Sequence, residues 1–213
     1  MTNQPVTGIQ RAWLLALVLF ASPAIAYAQC QKTPAAKCQG AQLKHLDWRG
    51  ANLDGGDFRN ADMENINLAG ASLRNADFRG ARMPFARLTK ADMRGANLDD
   101  ADVRWANLER AHLAGTRWTN ARLAKSDLEE ADLSNSVLVG TDLTRTDLVN
   151  TDLHQADMRG AKLDGAHMNF ANAKEAQFTG ASVQRARLIG TRLGGAIWTD
   201  GRVCKRTSVS VCE

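Results

Sequence analysis

Between residues 141 and 160 the chain reads TDLTRTDLVNTDLHQADMRG, which places Leu143, Leu148, Leu153 and Met158 five apart, each preceded by aspartate. A period of five fits neither common element. In an α-helix five residues turn the backbone roughly 140° past a full circle, so these side chains would scatter around the cylinder and leave no apolar stripe. In a flat strand side chains alternate every two residues, and positions five apart fall on opposite faces. A chain with this spacing has to bend at a fixed interval.

The register runs without insertion or deletion from Ala41 to Lys205, a total of 33 pentads. Eighteen central residues are Leu, five Met, and three each Phe, Trp and Val, with Ala173 the one small residue. Two positions earlier stands Ala in 22 pentads and Ser or Thr in seven, while the residue between is Asp or Asn in 17. A short extended piece points the small and the large residue inward and turns the intervening polar one outward. The chain then bends across the last two residues. Gly50, Gly55, Asn60, Asn75, Gly80, Gly95 and Gly140 hold the fifth place, where a bend with positive φ suits Gly or Asn. Composition alone, rich in Ala, Leu, Arg and Asp, favours helix. The period outranks that weak preference.

ADLSN, ANLDD, ADMRG and TDLVN all fit the motif A(D/N)Lxx, and the chain resembles the pentapeptide-repeat family over roughly three quarters of its length. The resemblance implies an all-β fold, a right-handed quadrilateral β-helix (solenoid) of about eight coils with four pentapeptides each. Residues twenty apart then stack. One interior column reads Phe58, Phe78, Leu98, Trp118, Leu138, Met158, Phe178, Trp198, collecting five of the six central aromatics on one side, as core packing. An exterior column, Asp62, Arg82, Asp102, Arg122, Asp142, Lys162, alternates in charge, each exposed pair contributing about 0.2–1 kcal/mol. Ser136, Thr141, Thr146 and Thr151 replace inward Ala, and their hydroxyls are expected to bond nearby backbone.

The first 28 residues carry one charged side chain, Arg11, then the run AWLLALVLF, then ASPAIAYA. This is the pattern of a secretory signal peptide, with a small-x-small site at Ala26 to Ala28 and cleavage before Gln29. The apolar run is too short for a membrane anchor. A lipoprotein signal acylating Cys30 is the weaker reading, because Gln29 stands where a small residue belongs. Export favours disulfides. With about eight coils at roughly 4.8 Å the two ends lie on the order of 40 Å apart, so only Cys30 with Cys38 and Cys204 with Cys212 can pair. The organisation is therefore 1–28 signal peptide, 29–40 N-terminal disulfide cap, 41–203 repeat solenoid and 204–213 C-terminal disulfide cap. Periplasmic residence is expected, with the extracellular space as the alternative.

Formal charge is +4 and falls to +3 once Arg11 leaves with the leader. Residues 126 to 157 carry eight acids against Arg145, whereas residues 181 to 213 carry six bases against two acids. The rod thus has an acidic belt, which follows from Asp being the motif's outward residue, and a basic C-terminal end. Some family members are acidic rods that mimic DNA and bind topoisomerases; this chain has neither the continuous negative charge nor the cytoplasmic address. No basic stripe with interleaved aromatics marks a nucleic-acid surface. His45, His112, His154 and His167 are scattered, no metal motif or nucleophile elbow is present, and no cofactor or catalytic residue is assigned.

The exterior departs from the pattern at RMPFA and VRWAN, where Phe85 and Trp105 hold the fifth place in adjacent coils beside Pro84 and Arg104. Aromatics with an arginine have the composition of an interface hot spot. Val137, Val139 and Ile197, with Val149 nearby, form a thinner apolar set. Either set offers a route to a homodimer. The reading that results is a non-enzymatic exported scaffold that binds an unknown protein partner. The alternative is an adaptor docking to an anionic envelope surface through Arg185, Arg187, Arg192, Arg202, Lys205 and Arg206.

Overall fold

A computed structural model describes residues 30–213; the expected leader at residues 1–28 and its cleavage point before Gln29 lie outside the described residues. From Lys37 onward, each pentad contributes one residue that bridges in parallel to the residue twenty positions later, ending with Gln177 to Ile197. Each coil therefore has four sides, and the bridging residue is the one just before the central apolar residue. The extended pieces are single bridge residues separated by turns rather than longer strands, because the chain bends too often for a ladder to lengthen. Pairing runs along the stack instead of along the chain.

The backbone bonds repeat with the same interval. The central N–H donates nineteen residues ahead, as from Leu143 to the Lys162 carbonyl at 2.8 Å. The next pentad's first N–H closes the turn, as from Thr146 to the Leu143 carbonyl at 3.1 Å. At the fifth place φ is positive in every pentad from Gly40 to Gly195, and side chains as large as Arg110, Phe85 and Trp105 adopt it. A lone left-handed residue of this kind costs roughly 1–2 kcal/mol when it is not glycine. It persists because the bonds of the coils above and below fix the corner.

The Asp or Asn before the central residue has a structural task that its outward position alone did not disclose. In sixteen of the seventeen pentads its side-chain oxygen accepts the N–H two residues on, closing an Asx turn. The exception is Asn172, whose Oδ1 is also the buried side-chain oxygen left without a partner among the described residues. Where residue 72, 117, 182 or 187 is Ser or Arg, the same N–H is taken by Asp54, Asp99, Asp164 or Asn169 of the coil beneath. At Pro84, which follows Arg82, the N–H is absent altogether.

The lumen holds the central residues and the small residues two before them, nearly all fully buried. Phe58 stacks on Phe78 with centroids 5.0 Å apart, and Phe178 meets Trp198 at 5.3 Å, so the aromatics expected on one side are there. Gly56 replaces the usual Ala because a Cβ would stand 2.4 Å from the Phe58 ring. The inward hydroxyls bond backbone as expected: Ser136 donates to the Leu133 carbonyl, while Thr141, Thr146 and Thr151 reach the carbonyls of Trp118, Leu123 and Leu128 in the coil below.

Both ends depart from the expected boundaries. Cys38 is buried in a central position and Gly40 takes the corner, so the parallel pairing begins at Lys37, one pentad earlier than Ala41. At the other end Val203 keeps the register in sequence but is 66% exposed and pairs antiparallel with Ile197. Gly201, at φ 86°, reverses the chain. Disulfides join Cys30 to Cys38 and Cys204 to Cys212, with no free cysteine among the described residues.

Candidate functional site

The charge ladder expected from stacking forms only in part. Arg82 pairs with Asp62 at 3.2 Å and Arg122 with Asp102 at 3.8 Å, but among the described residues the Arg82–Asp102, Arg122–Asp142 and Asp142–Lys162 steps do not close. The stronger habit is Asp-x-Arg within one pentad. Asp47, Asp57, Asp77, Asp92, Asp102 and Asp157 each receive the guanidinium two residues on at 2.6–2.8 Å. The apolar residue between points inward, leaving both charges side by side outside. Hydrogen bonds from Arg94, joined by Arg74, hold the Asp92 carboxyl well below the usual carboxylate range.

Between residues 126 and 157 the belt winds around the coil, and Asp127 bridges Asp147 while Asp132 bridges Asp152. Like charges one coil apart repel; they persist because each carboxylate caps its own turn. Lost hydration, followed by the charges of Asp147 and Asp127, pushes the Glu129 carboxyl up. An open groove of about 570 Å³ lies alongside, lined by Lys90, Arg110, His112, Glu130, Asp132 and Asp152 among others. Arg110 spans it to Glu130 at 2.7 Å. Among the described residues no cluster of His, Cys, Asp or Glu has metal-binding geometry.

At RMPFA and VRWAN the structure brings Phe85 and Trp105 into a parallel stack, centroids 5.1 Å apart and planes within 9°. Both are exposed, at 48% and 40%, and both stand at positive-φ corners, which throws the rings outward. The Arg104 guanidinium lies 5.0 Å from the Trp105 centroid. Its other bonds go to Asp102 at 2.7 Å; burial raises the Asp102 carboxyl, but these bonds prevail and hold it below its ordinary value. Lys125 caps the stack from the next coil, 5.6 Å from the same ring. Pro84 is buried beneath the patch and accepts the Asn65 N–H, so it shapes the corner rather than the surface. A hollow of about 370 Å³ adjoins Phe85, lined also by His45, Asp47, Asn65 and Arg87.

The second apolar set does not assemble. Val137 and Ile197 share a face, but Asp157 and Gln177 stand between them, and Val137, Val139, Val149 and Ile197 are all half-buried. Phe170 is the exposed aromatic that the sequence reading passed over, at 58%, with its ring lying over Gly190. The signal was the same as for Phe85, a large apolar residue in fifth place. At the basic end, Arg202 pairs with Asp200, whereas Arg185, Arg187, Arg192, Lys205 and Arg206 are exposed without an ion-pair partner among the described residues.

A stack of coils joined by parallel bridges twenty residues apart defines a repeat-solenoid protein. Family profiles described as pentapeptide repeats (8 copies) match residues 36–75, 66–104, 101–138, 126–165 and 156–195, and the chain belongs to the pentapeptide-repeat family. Among solved structures it is similar to HetL, a pentapeptide repeat protein involved in heterocyst differentiation regulation in the cyanobacterium Nostoc, with 25% identity over 83% of this chain and 95% of that one, TM-score 0.39. It is similar to a pentapeptide repeat protein of the Arabidopsis thaliana thylakoid lumen, with 31% identity over 53% of this chain and 68% of that one, TM-score 0.33. A form of QnrB1, a plasmid-mediated fluoroquinolone resistance protein, aligns at 16% identity over 73% of this chain and 91% of that one, TM-score 0.44. No curated protein matches. No helix among the described residues is long and apolar enough to cross a membrane.

Proposed function

We propose that this protein is a non-enzymatic exported scaffold that holds a protein partner at the Phe85–Trp105 patch. The winding is right-handed and four-sided, the two disulfide loops are end clips, and the bacterial periplasm is the compartment. Two closed disulfides and no free thiol among the described residues support an oxidising location. The observation that carries the binding reading is the stack itself. Two large rings are held rigid at left-handed corners, flanked by Arg104 and Lys125, with apolar area in water that the fold does not need. Rigid aromatics beside arginine lose little entropy on docking.

Crosslinking in the native compartment tests this. The protein and its Phe85→Ala/Trp105→Ala variant are compared at equal abundance, and a species captured by the first is expected to fall at least tenfold with the second. Capture of an identical set by both refutes the assignment. The second reading, docking to an anionic envelope surface, rests on the exposed Arg185, Arg187, Arg192, Lys205 and Arg206 with Arg202 at their edge. It predicts release from anionic vesicles by moderate salt, which the aromatic patch would resist.

A further inference from the structure

Every coil but the last is hydrogen-bonded to a coil above it. In the last, Gly201 turns the chain back after Asp200, and residues 202–210 run antiparallel over residues 191–198. Leu193 donates to Ser208, Gly195 to Cys204 and Trp198 to Arg202, while Cys204 donates to Ala196 and Ser210 to Thr191. Two of the four sides are thereby closed. The other two, Ala181–Gly190, are open except at the Gly190 N–H, which donates to the Ser210 Oγ at 2.9 Å: the N–H groups of Val183, Arg185 and Leu188 have no acceptor among the described residues, and the carbonyls of Ala181 and Ala186 have no donor there. Their counterparts one coil below, Leu163, Gly165 and Met168 as donors and Ala161 and Ala166 as acceptors, are all bonded. The side chains tell the same story. Val183, Ala186 and Leu188 are half-buried, where Leu163, Ala166 and Met168 are completely buried.

We propose that this open edge binds an extended, carboxylate-bearing segment of a partner protein, which adds to the stack as a further half-coil. The surface is distinct from the Phe85–Trp105 patch. A row of unpaired backbone donors and acceptors is a template for strand addition. Apolar side chains of the incoming segment would cover Val183 and Leu188, with Ile189 and the ring of Phe170 exposed at the rim. Charge selects the partner. Arg185 and Arg187 lie on the edge and Arg192 and Arg206 beside it, all exposed and none ion-paired among the described residues, so acidic residues alternating with apolar ones complement the edge. A second copy docking by the same edge would set these arginines against each other.

The probe is the fluorescein-labelled peptide Val-Glu-Val-Asp-Val-Glu-Val-Asp, with a control in which Lys replaces each acid, titrated against the purified protein. The acidic peptide is expected to bind at least tenfold more tightly than the control, and to slow amide exchange at Val183, Arg185 and Leu188. Val183→Pro, which removes one free donor without breaking a bond, and Arg187→Glu on the surface should each weaken binding at least fivefold while leaving the thermal transition in place. Absence of protection at those amides, equal binding of the Lys peptide, or binding unchanged in both variants overturns the proposal. So does protection that appears without peptide as protein concentration rises, which would place a second copy on the edge.

Discussion

An aspartate one place before an inward leucine is chosen here for its oxygen more than for its charge. Asn52, Asn67, Asn97 and Asn107 close the same turn with a neutral amide, so the cap and the ion pair are separable. Asp92 has both, accepting the Arg94 N–H and the side chains of Arg94 and Arg74. Its carboxyl is held below the unfolded value. A depressed folded-state value stabilises above the unfolded range near pH 4, and that contribution disappears as pH falls through the folded value. Arg94 is half exposed, so solvent screening keeps the effect small. Asp92→Asn is expected to retain the turn and to lose less stability between pH 5 and pH 2 than the parent. Asp92→Ala should lose the cap as well, about 1 kcal/mol at neutral pH. Denaturant melts across that range check both, and parallel pH profiles for parent and Asn variant would remove the pair from the account.

The pentad is the element, and most of it was legible. Spacing gave the inward pair, the outward residue and the corner, and the twenty-residue stacking followed once four pentads were taken to make a coil. What escaped was local chemistry that spacing does not encode. Asp-x-Arg pairing does not follow from the twenty-residue stacking: the nearer partner sits two apart on the same outer side. AKCQG at residues 36–40 already follows the pattern, yet its cysteine read as cap rather than lumen. Val203 fits the register, but the chain turns back at Gly201 and pairs it antiparallel with Ile197 instead. The Phe85–Trp105 stack was legible as a juxtaposition, whereas Lys125 over the ring required the coil geometry. The element also makes its own prediction. Pro84 sits where the turn N–H has no side-chain acceptor, and Ala114, behind His112, is another such place, whereas the Ala69 N–H bonds Asn67. Ala114→Pro should stabilise by about 0.4–1 kcal/mol by restricting the unfolded chain, and Ala69→Pro should destabilise by about 1 kcal/mol through the lost bond. Thermal melts that move together would mean the corner does not discriminate by its N–H.

Across the whole molecule each coil touches only its neighbours, so stability adds up along the stack and is weakest where one neighbour is missing. The ends are therefore where the disulfides matter. Each closes a sequence separation of 8 residues, and restricting a loop of that size disfavours the unfolded end by about 2–3 kcal/mol. The two ends are not equivalent. Cys38 sits inside the parallel register and is locked by the next coil, its N–H donating to Asp57, whereas Cys204 belongs to an antiparallel flap that covers two sides and exposes Val203, Val209 and Val211. Reduction should loosen the C-terminal flap first. Amide exchange at Leu193, Gly195 and Trp198, the donors to that flap, is expected to rise at least tenfold in reductant, while Leu98, Trp118 and Leu138 in the middle coils stay protected. Hydrogen exchange with and without reductant reads this directly. A uniform rise along the chain would show that the stack opens as one cooperative unit, and fraying that began at Cys38 would mean that parallel register gives an end no more hold than a half-closed flap.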